Sequence, residues 1–209
     1  GFAGSAFAQE IVQLTPQEFS QEEIDAMKHK AVIITMNSGT FFIEFFPEDA
    51  PNTVHHFLKL VESGYYDGMV FHRIIPGFMI QVGDPNTKDP EADRSSWGQG
   101  GPGYSINAEF NTLQHDRGVV SMARSQHPDS AGSQFFIVQK DSNFLDGQYT
   151  AFGKLVPGTY SNQLLDTIAS LETDARDAPL DVSRATITKA TILDDFTAAG
   201  FAGPDRNES

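Results

Sequence analysis

Short β-branched and aromatic runs, cut at close intervals by glycine and turn dipeptides, constrain this chain more than any other feature. The stretch AVIITMNSGTFFIEFF, starting at Ala31, is two such runs broken by Asn37-Ser38-Gly39, a hairpin signal. Further short runs fall near 69–74, 78–82, 104–106, 118–123, 134–139 and 150–156, and ATITKATIL at 185–193 ends the series. Asp67-Gly68, Pro76-Gly77 and Asp146-Gly147 are turn dipeptides between or beside them. Many short strands leave many unpaired edges, and closing an antiparallel sheet on itself removes those edges.

Two segments have helical rather than strand period. In Pro47 to Ser63, Val54, Phe57, Leu58 and Val61 form one apolar stripe, with Gly64 placed to end the helix. A second helix is expected over 161–171, with Leu164, Leu165, Ile168 and Leu171 inward. Before the strands, Thr15-Pro16-Gln17-Glu18 has the form of a capping box, and Lys28, His29 and Lys30 suit a helix C-terminus, so an extra helix is expected from about 16 to 29. The expected fold class is mainly β: a closed eight-stranded antiparallel β-barrel capped by two α-helices, with an extra N-terminal helix. Its expected organisation is an N-terminal extension (1–30), one domain (31–193) and a flexible tail (194–209).

Composition removes several functions. The 209 residues include 28 acidic and 14 basic side chains, a net charge of -14 that phosphate backbones repel, so no nucleic acid is expected as a partner. Cysteine is absent, and with it disulfides, thiolate metal sites and a cysteine nucleophile. No apolar run reaches the length of a membrane helix, so no membrane span is expected in the chain given. Ala6-Phe7-Ala8 before Gln9 has the small-x-small form of a signal-peptidase site. Export is therefore the expectation and a cytoplasmic location the alternative. The six histidines have no HExxH spacing, no G-x-S-x-G elbow occurs, and the acidic positions Asp84, Asp89, Glu91 and Asp93 lack calcium-loop spacing. Neither a metal nor a cofactor is expected.

The informative stretch is VFHRIIPGFMIQVGD, from Val70 to Asp84. Alternation puts Phe71 and Arg73 on one strand face, and beyond the Pro76-Gly77 turn Met79 and Gln81 on one face of the next strand. An arginine among apolar neighbours is costly unless it is paired or reaches water. It is either a snorkelling side chain or structural ion pair, or a functional group. In SQFFIV, Gln134 and Phe136 share a face. One arginine, two glutamines, a methionine and a phenylalanine converging on one groove would suit an apolar ligand that carries an amide.

These residues are also where a family resemblance lies. FHRIIPGFMIQVGD resembles the cyclophilin signature; YYDGMVFHR, GGPGYSINAEF, GSQFFI and LDGQYTAFGKL are similar to other motifs of that family, in matching order, and the likeness runs from about Ala31 to Leu193. The resemblance implies an eight-stranded barrel and peptidyl-prolyl cis/trans isomerase activity on X–Pro bonds of unfolded or flexible segments. It implies Arg73 as the catalytic guanidinium, and a proline pocket lined by Phe78, Met79, Phe136 and Leu145. Gln81 and Gln134 would hold Arg73 and the peptide, the backbone of Ala123, Arg124 and Ser125 would run beside the peptide, and Gly98 would sit on the far rim. His72, next to Arg73, is expected as a core histidine hydrogen-bonded internally. The implied partners are proline-containing peptides and unfolded proteins, met by a monomer.

Two positions depart from well-known members: Phe144 stands in place of Trp and Tyr149 in place of His. Both keep an aromatic wall, but Phe144 lacks an indole N–H donor. Weaker binding of cyclosporin than in Trp-bearing relatives is expected. The loop at 84–97 looks longer than in compact members. The alternative readings are a proline-peptide-binding or chaperone module without turnover, and a barrel that carries a small apolar ligand in an unbroken apolar interior.

Overall fold

The hairpin at Asn37-Ser38 organises the sheet. In the computed structural model, which describes residues 11–89 and 91–196, strands β2 (Ala31–Met36) and β3 (Gly39–Phe45) pair antiparallel, and Met36 faces Gly39 across the two-residue turn. Strand β1 (Val12–Gln13) lies before them. The later strands are β4 (Arg73–Ile75), β5 (Met79–Val82), β6 (Tyr104–Ser105), β7 (Val119–Met122), β8 (Phe135–Val138), β9 (Ala151–Leu155) and β10 (Ile187–Leu193). Eight of them form one sheet in the order β10-β2-β3-β9-β7-β8-β5-β4, every pair antiparallel.

The two ends of this sheet meet just before β4 and β10. Val70 bridges Thr186, the Phe71 N–H donates to the Ala185 carbonyl at 2.8 Å, and the Ile187 N–H donates to the Met69 carbonyl at 2.8 Å. The barrel therefore closes through a short bridge, not a full ladder. The run expected as a strand over 69–74 is ordered strand only from Arg73. The 104–106 run is not in the barrel; β6 pairs in parallel with β1.

Helices α1 (Gln21–Lys28), α2 (Pro51–Glu62) and α3 (Ser161–Ala169) flank the sheet. Helix α2 buries the expected stripe of Val54, Phe57, Leu58 and Val61. Its N-cap, Ala50, has no side chain able to cap. The Glu109 carboxylate does so from a distance, accepting from the Thr53 N–H at 2.6 Å, the Thr53 hydroxyl at 2.7 Å and the Asn52 N–H at 3.2 Å. An anion there satisfies orphan donors and complements the helix dipole.

Helix α1 starts later than expected. Its capping box is Ser20 with Glu23, closed by bonds of 3.2 and 3.1 Å, and not Thr15 with Glu18. Both segments fit the pattern, and a long-range contact decides between them. The Asn52 side-chain amide accepts from the Gln17 N–H at 2.8 Å and donates to the Gln17 carbonyl at 3.2 Å, which holds Gln17 outside the helix.

Inside the barrel, Phe41, Phe57, Phe71, Phe135 and Phe152 are buried with Ile34, Ile43, Ile74 and Ile80. Phe57 sits at the centre of the aromatic contacts, 5.1 Å from Phe135 and 5.3 Å from both Tyr66 and Phe152. The interior is filled with side chains, which removes the ligand-carrying barrel as a reading. At the C-terminal end, Phe196 is buried and its N–H donates to the His29 carbonyl, while Asp194 pairs with Lys30 at 2.7 Å. Residues 194–196 are thus anchored just after α1, on His29 and Lys30; the rest of the expected tail and the Ala6-Phe7-Ala8 site lie outside the described residues. Among the described residues no helix is long and apolar enough to cross a membrane.

Candidate active site

The site is built on one row of the sheet. Across β4, β5, β8 and β7, Arg73 faces Gln81, Gln81 faces Phe136, and Phe136 faces Ser121. Cross-strand partners put their side chains on the same sheet face, so the four point together, away from the barrel interior. The row beside it, Ile74, Ile80, Ile137 and Val120, points inward and is fully buried. Phe71 belongs with that core, against Phe41 at 6.0 Å, and does not share a face with Arg73. The alternation expected there fails because the chain before Arg73 is spent on barrel closure instead of strand pairing.

A second apolar cluster forms on the outer face from Met79, Phe136, Val138 and Leu145, with Phe78, Ala123 and Tyr149 packed on it. It surrounds a pocket of about 130 Å³ whose mouth includes Arg73 and Gln81. At about 30 Å³ per water the pocket holds roughly four waters. That is room for one small ring and far below the volume a drug-sized ligand occupies. Phe78, Met79, Phe136 and Leu145 all line it. Phe144 does not; it is 68% exposed and leans on Phe78 with ring centres 5.6 Å apart.

A larger pocket, about 430 Å³, adjoins the first and shares Gln81, Ala123 and Arg124 with it. Gly98, Ser125 and Gln134 line this second space. Two linked pockets of this kind make a groove. Arg124 does more than lend its backbone: its guanidinium donates to the carbonyls of Gln148, Ser125 and Gln126 and stacks 4.7 Å over the Tyr149 ring. It straps the loop after β7 to the pocket wall.

The glutamines do not hold Arg73. Gln81 donates to the Gln134 side-chain carbonyl at 2.9 Å, and Gln134 donates to the carbonyls of Gly98 and Gly100, each at 2.9 Å. Their amides tie the rim loop to the sheet. A Cβ at Gly100 would run into the Asp84 carboxylate, which is buried and held by the N–H groups of Asn86 and Gly98. Among the described residues no carboxylate pairs with Arg73 and no side chain accepts a hydrogen bond from it. It is exposed at the pocket mouth.

His72 is buried beneath Gly98 as a core histidine. Neither ring nitrogen has a partner at strict hydrogen-bond geometry, but the Val70 backbone and the Gln134 side chain lie close enough to act on the ring as looser hydrogen-bond partners. Burial pushes its pKa down from 6.5, only partly opposed by Asp84 and by the Val70 and Gln134 contacts, so the ring is neutral at neutral pH.

Residues distant in sequence support the pocket wall from below. His115 stacks on Phe136 with ring centres 6.1 Å apart. Its Nδ1 lies 2.9 Å from Asp146 and its Nε2 2.8 Å from the Ser121 hydroxyl. Burial raises the Asp146 pKa, but hydrogen bonds from His115 and Asn143 outweigh it and the net shift is downward. An ionised carboxylate only accepts, so Nδ1 carries the proton and Nε2 accepts from Ser121. The order of contacts is that of a hydrolase triad. Ser121 is fully buried, however, and no substrate carbonyl can reach it. The relay is a prop, and nothing in its spacing at 115, 121 and 146 marks it in the sequence.

The outer face of the barrel thus carries a pocket sized for one small ring, a spare guanidinium at its mouth and a second pocket beside it. Residues 31–192 match the family model described as "Cyclophilin type peptidyl-prolyl cis-trans isomerase/CLD". The chain belongs to the cyclophilin-type peptidyl-prolyl cis-trans isomerase family. It is 42% identical over 163 residues to the "Probable peptidyl-prolyl cis-trans isomerase" of Brucella abortus, covering 77% of this chain and 83% of that one. It is 42% identical over 144 residues to the peptidyl-prolyl cis-trans isomerase of Synechococcus elongatus, covering 69% and 90%. Among solved structures it is similar to a cyclophilin-type isomerase of Cryptosporidium parvum determined in the presence of the dipeptide Ala-Pro, with TM-score 0.67, 35% identity and coverage of 78% and 98%.

Proposed function

We propose that the chain accelerates rotation about X–Pro bonds in unfolded or flexible protein segments, with the proline ring seated among Phe78, Met79, Phe136 and Leu145 and with Arg73 stabilising the twisted amide. The observation that carries this reading is the uncommitted guanidinium at the mouth of a pocket sized for one small ring.

Resonance gives amide rotation a barrier of ~18–20 kcal/mol, and no bond is made or broken in crossing it. In the twisted state the proline nitrogen becomes pyramidal and gains a lone pair. A guanidinium N–H of Arg73 donates to that lone pair, an interaction that the planar amide lacks. Only such differential binding accelerates the step. A thousandfold gain needs ~4 kcal/mol, and one preorganised donor supplies about 2.7–4 kcal/mol. Because Arg73 has no side-chain partner among the described residues, no internal hydrogen bond to one of them is lost when it turns to the substrate. The glutamine pair and the Arg124 strap hold the groove walls at fixed spacing, and the His115 relay steadies Phe136.

The test is cis/trans exchange of a short Ala-Pro peptide by NMR, with wild type and Arg73→Ala side by side. Fast exchange that collapses in the variant is the expected result. Fast exchange in both would remove Arg73 from catalysis. No exchange in either, with both proteins folded, would leave a proline-peptide-binding module.

A further inference from the structure

We propose that the segment leading into β1 belongs to the peptide groove, and that Ile11 is a specificity-determining residue of its second pocket, favouring an apolar side chain two residues away from the proline. The proposal rests on the prolyl isomerase reading of the first pocket.

The segment that carries Ile11 is held at several points. Strand β1 pairs with β6, the Leu14 N–H donates to the Ser105 carbonyl at 2.9 Å, and the Gln13 side chain donates to that of Asn107 at 2.8 Å. The Asn52 clamp on Gln17 fixes the chain a little further along. Held this way, Ile11 lines the second pocket together with Gln81, Ala123, Arg124 and Gln134. It lies outside the span matched by the family model, which begins at residue 31. A singly exposed apolar side chain says little by itself. Ile11, 67% exposed, differs by its place. It is the branched aliphatic side chain in a lining otherwise rich in glycine, serine and glutamine. The ionic group there, Arg124, is already bound to three backbone carbonyls. The space therefore offers an apolar wall, neutral amides and no uncommitted charge.

Geometry selects the position on the ligand. The two pockets are contiguous through Gln81, Ala123 and Arg124. Along an extended peptide, residues two apart project to the same side, roughly 7 Å from each other. A proline in the first pocket therefore aims the side chain two residues away at the second, where it meets Ile11.

The test uses the full chain and short proline peptides bearing Leu or Glu two residues before, or two residues after, the proline. NMR exchange gives the Leu-to-Glu rate ratio for wild type, Ile11→Asp and Val12→Asp. Val12 is the exposed next residue, in β1, and does not line the pocket, so its variant controls for charge and for disturbance of β1. A ratio of about tenfold is expected in wild type on one side of the proline. It should fall toward one in Ile11→Asp and persist in Val12→Asp. No preference in wild type, a preference that survives in Ile11→Asp, or equal loss in Val12→Asp would overturn the assignment. The Ile11 methyl shifts on titration with the Leu peptide read occupancy without turnover. Their absence would also overturn it, whereas unmoved exchange of Ala-Pro by wild type would count against the isomerase reading alone.

Discussion

The inner and outer faces of β4, β5, β8 and β7 share one hydrogen-bond register and carry different chemistry. Inward, Ile74, Ile80, Ile137 and Val120 form an unbroken apolar row with no exposed surface. Outward, the row of Arg73, Gln81, Phe136 and Ser121 alternates charge, amide, ring and hydroxyl. The polar members of the outer row are committed to protein partners, Gln81 to Gln134 and Ser121 to His115, with the exception of Arg73. Burial on one side fixes strand positions through packing that resists deformation. The other side inherits that rigidity and can leave one guanidinium free at a defined place. Stability and chemistry are thus separated by a single residue step along each strand, and substitutions on the two faces should fail in different ways.

The largest effect is expected on the inner face. Phe135 is fully buried and packs edge-on against Phe57 and Tyr66. Phe135→Ala should cost about 3–5 kcal/mol, roughly 10 °C of melting temperature in a domain of this size, read by calorimetry. On the outer face the outcome reverses. Arg73→Ala should leave the melting temperature in place and lower kcat/KM for an Ala-Pro peptide by about 10²–10³-fold. If Arg73→Ala also lost several degrees, the guanidinium would be structural and the separation of faces would fail.

The relay beneath Phe136 belongs to the outer face but is buried like the inner one, and should show intermediate behaviour. Ser121→Ala removes the donor to His115 Nε2 in a fully buried site, and leaving such an acceptor unpaired costs about 1–3 kcal/mol. The same ring makes stability depend on pH. Burial holds the pKa values of His56, His72 and His115 below 6.5, against the partial opposition of Gly132, Asp84 and Asp146 respectively. The unfolded chain takes up protons near 6.5 while the folded protein resists them, so unfolding binds protons below that pH. This contribution to stability is complete above pH 6.5 and is lost as the pH falls below it. Melting curves should be level above pH 7 and decline on acidification. A flat profile from pH 7 to 5 would mean these rings are not shielded from water.

Much of this arrangement is legible in the sequence. Long periodic segments declared themselves: the β2–β3 hairpin and the α2 stripe depend on neighbours in sequence. The pocket residues Phe78, Met79, Phe136 and Leu145 stood in motifs that resemble the family's, and they do line one pocket. What stayed hidden depends on partners far along the chain. Strand β1 is two residues long and exists because β6 lies beside it. The start of α1 was ambiguous between two capping boxes until Asn52 clamped Gln17. The glutamines were expected on Arg73, yet each had a closer amide or carbonyl partner across 34 to 53 residues. Phe71 could not be assigned to a face without knowing where the barrel closes.

The smallest expected effect lies at the groove rim and tests how far the outer face tolerates change. Phe144 is 68% exposed, touches Phe78 and is not part of the proline pocket lining. Substitution there should leave the pocket and its activity on Ala-Pro nearly unchanged. Phe144→Trp adds an indole N–H donor without removing the aromatic surface. One net hydrogen bond is worth about 0.5–1.5 kcal/mol, so cyclosporin should bind the variant several-fold more tightly than wild type by calorimetry. Equal affinities would show that the rim ring acts by surface alone. Nanomolar binding by wild type would show that this groove never needed the donor.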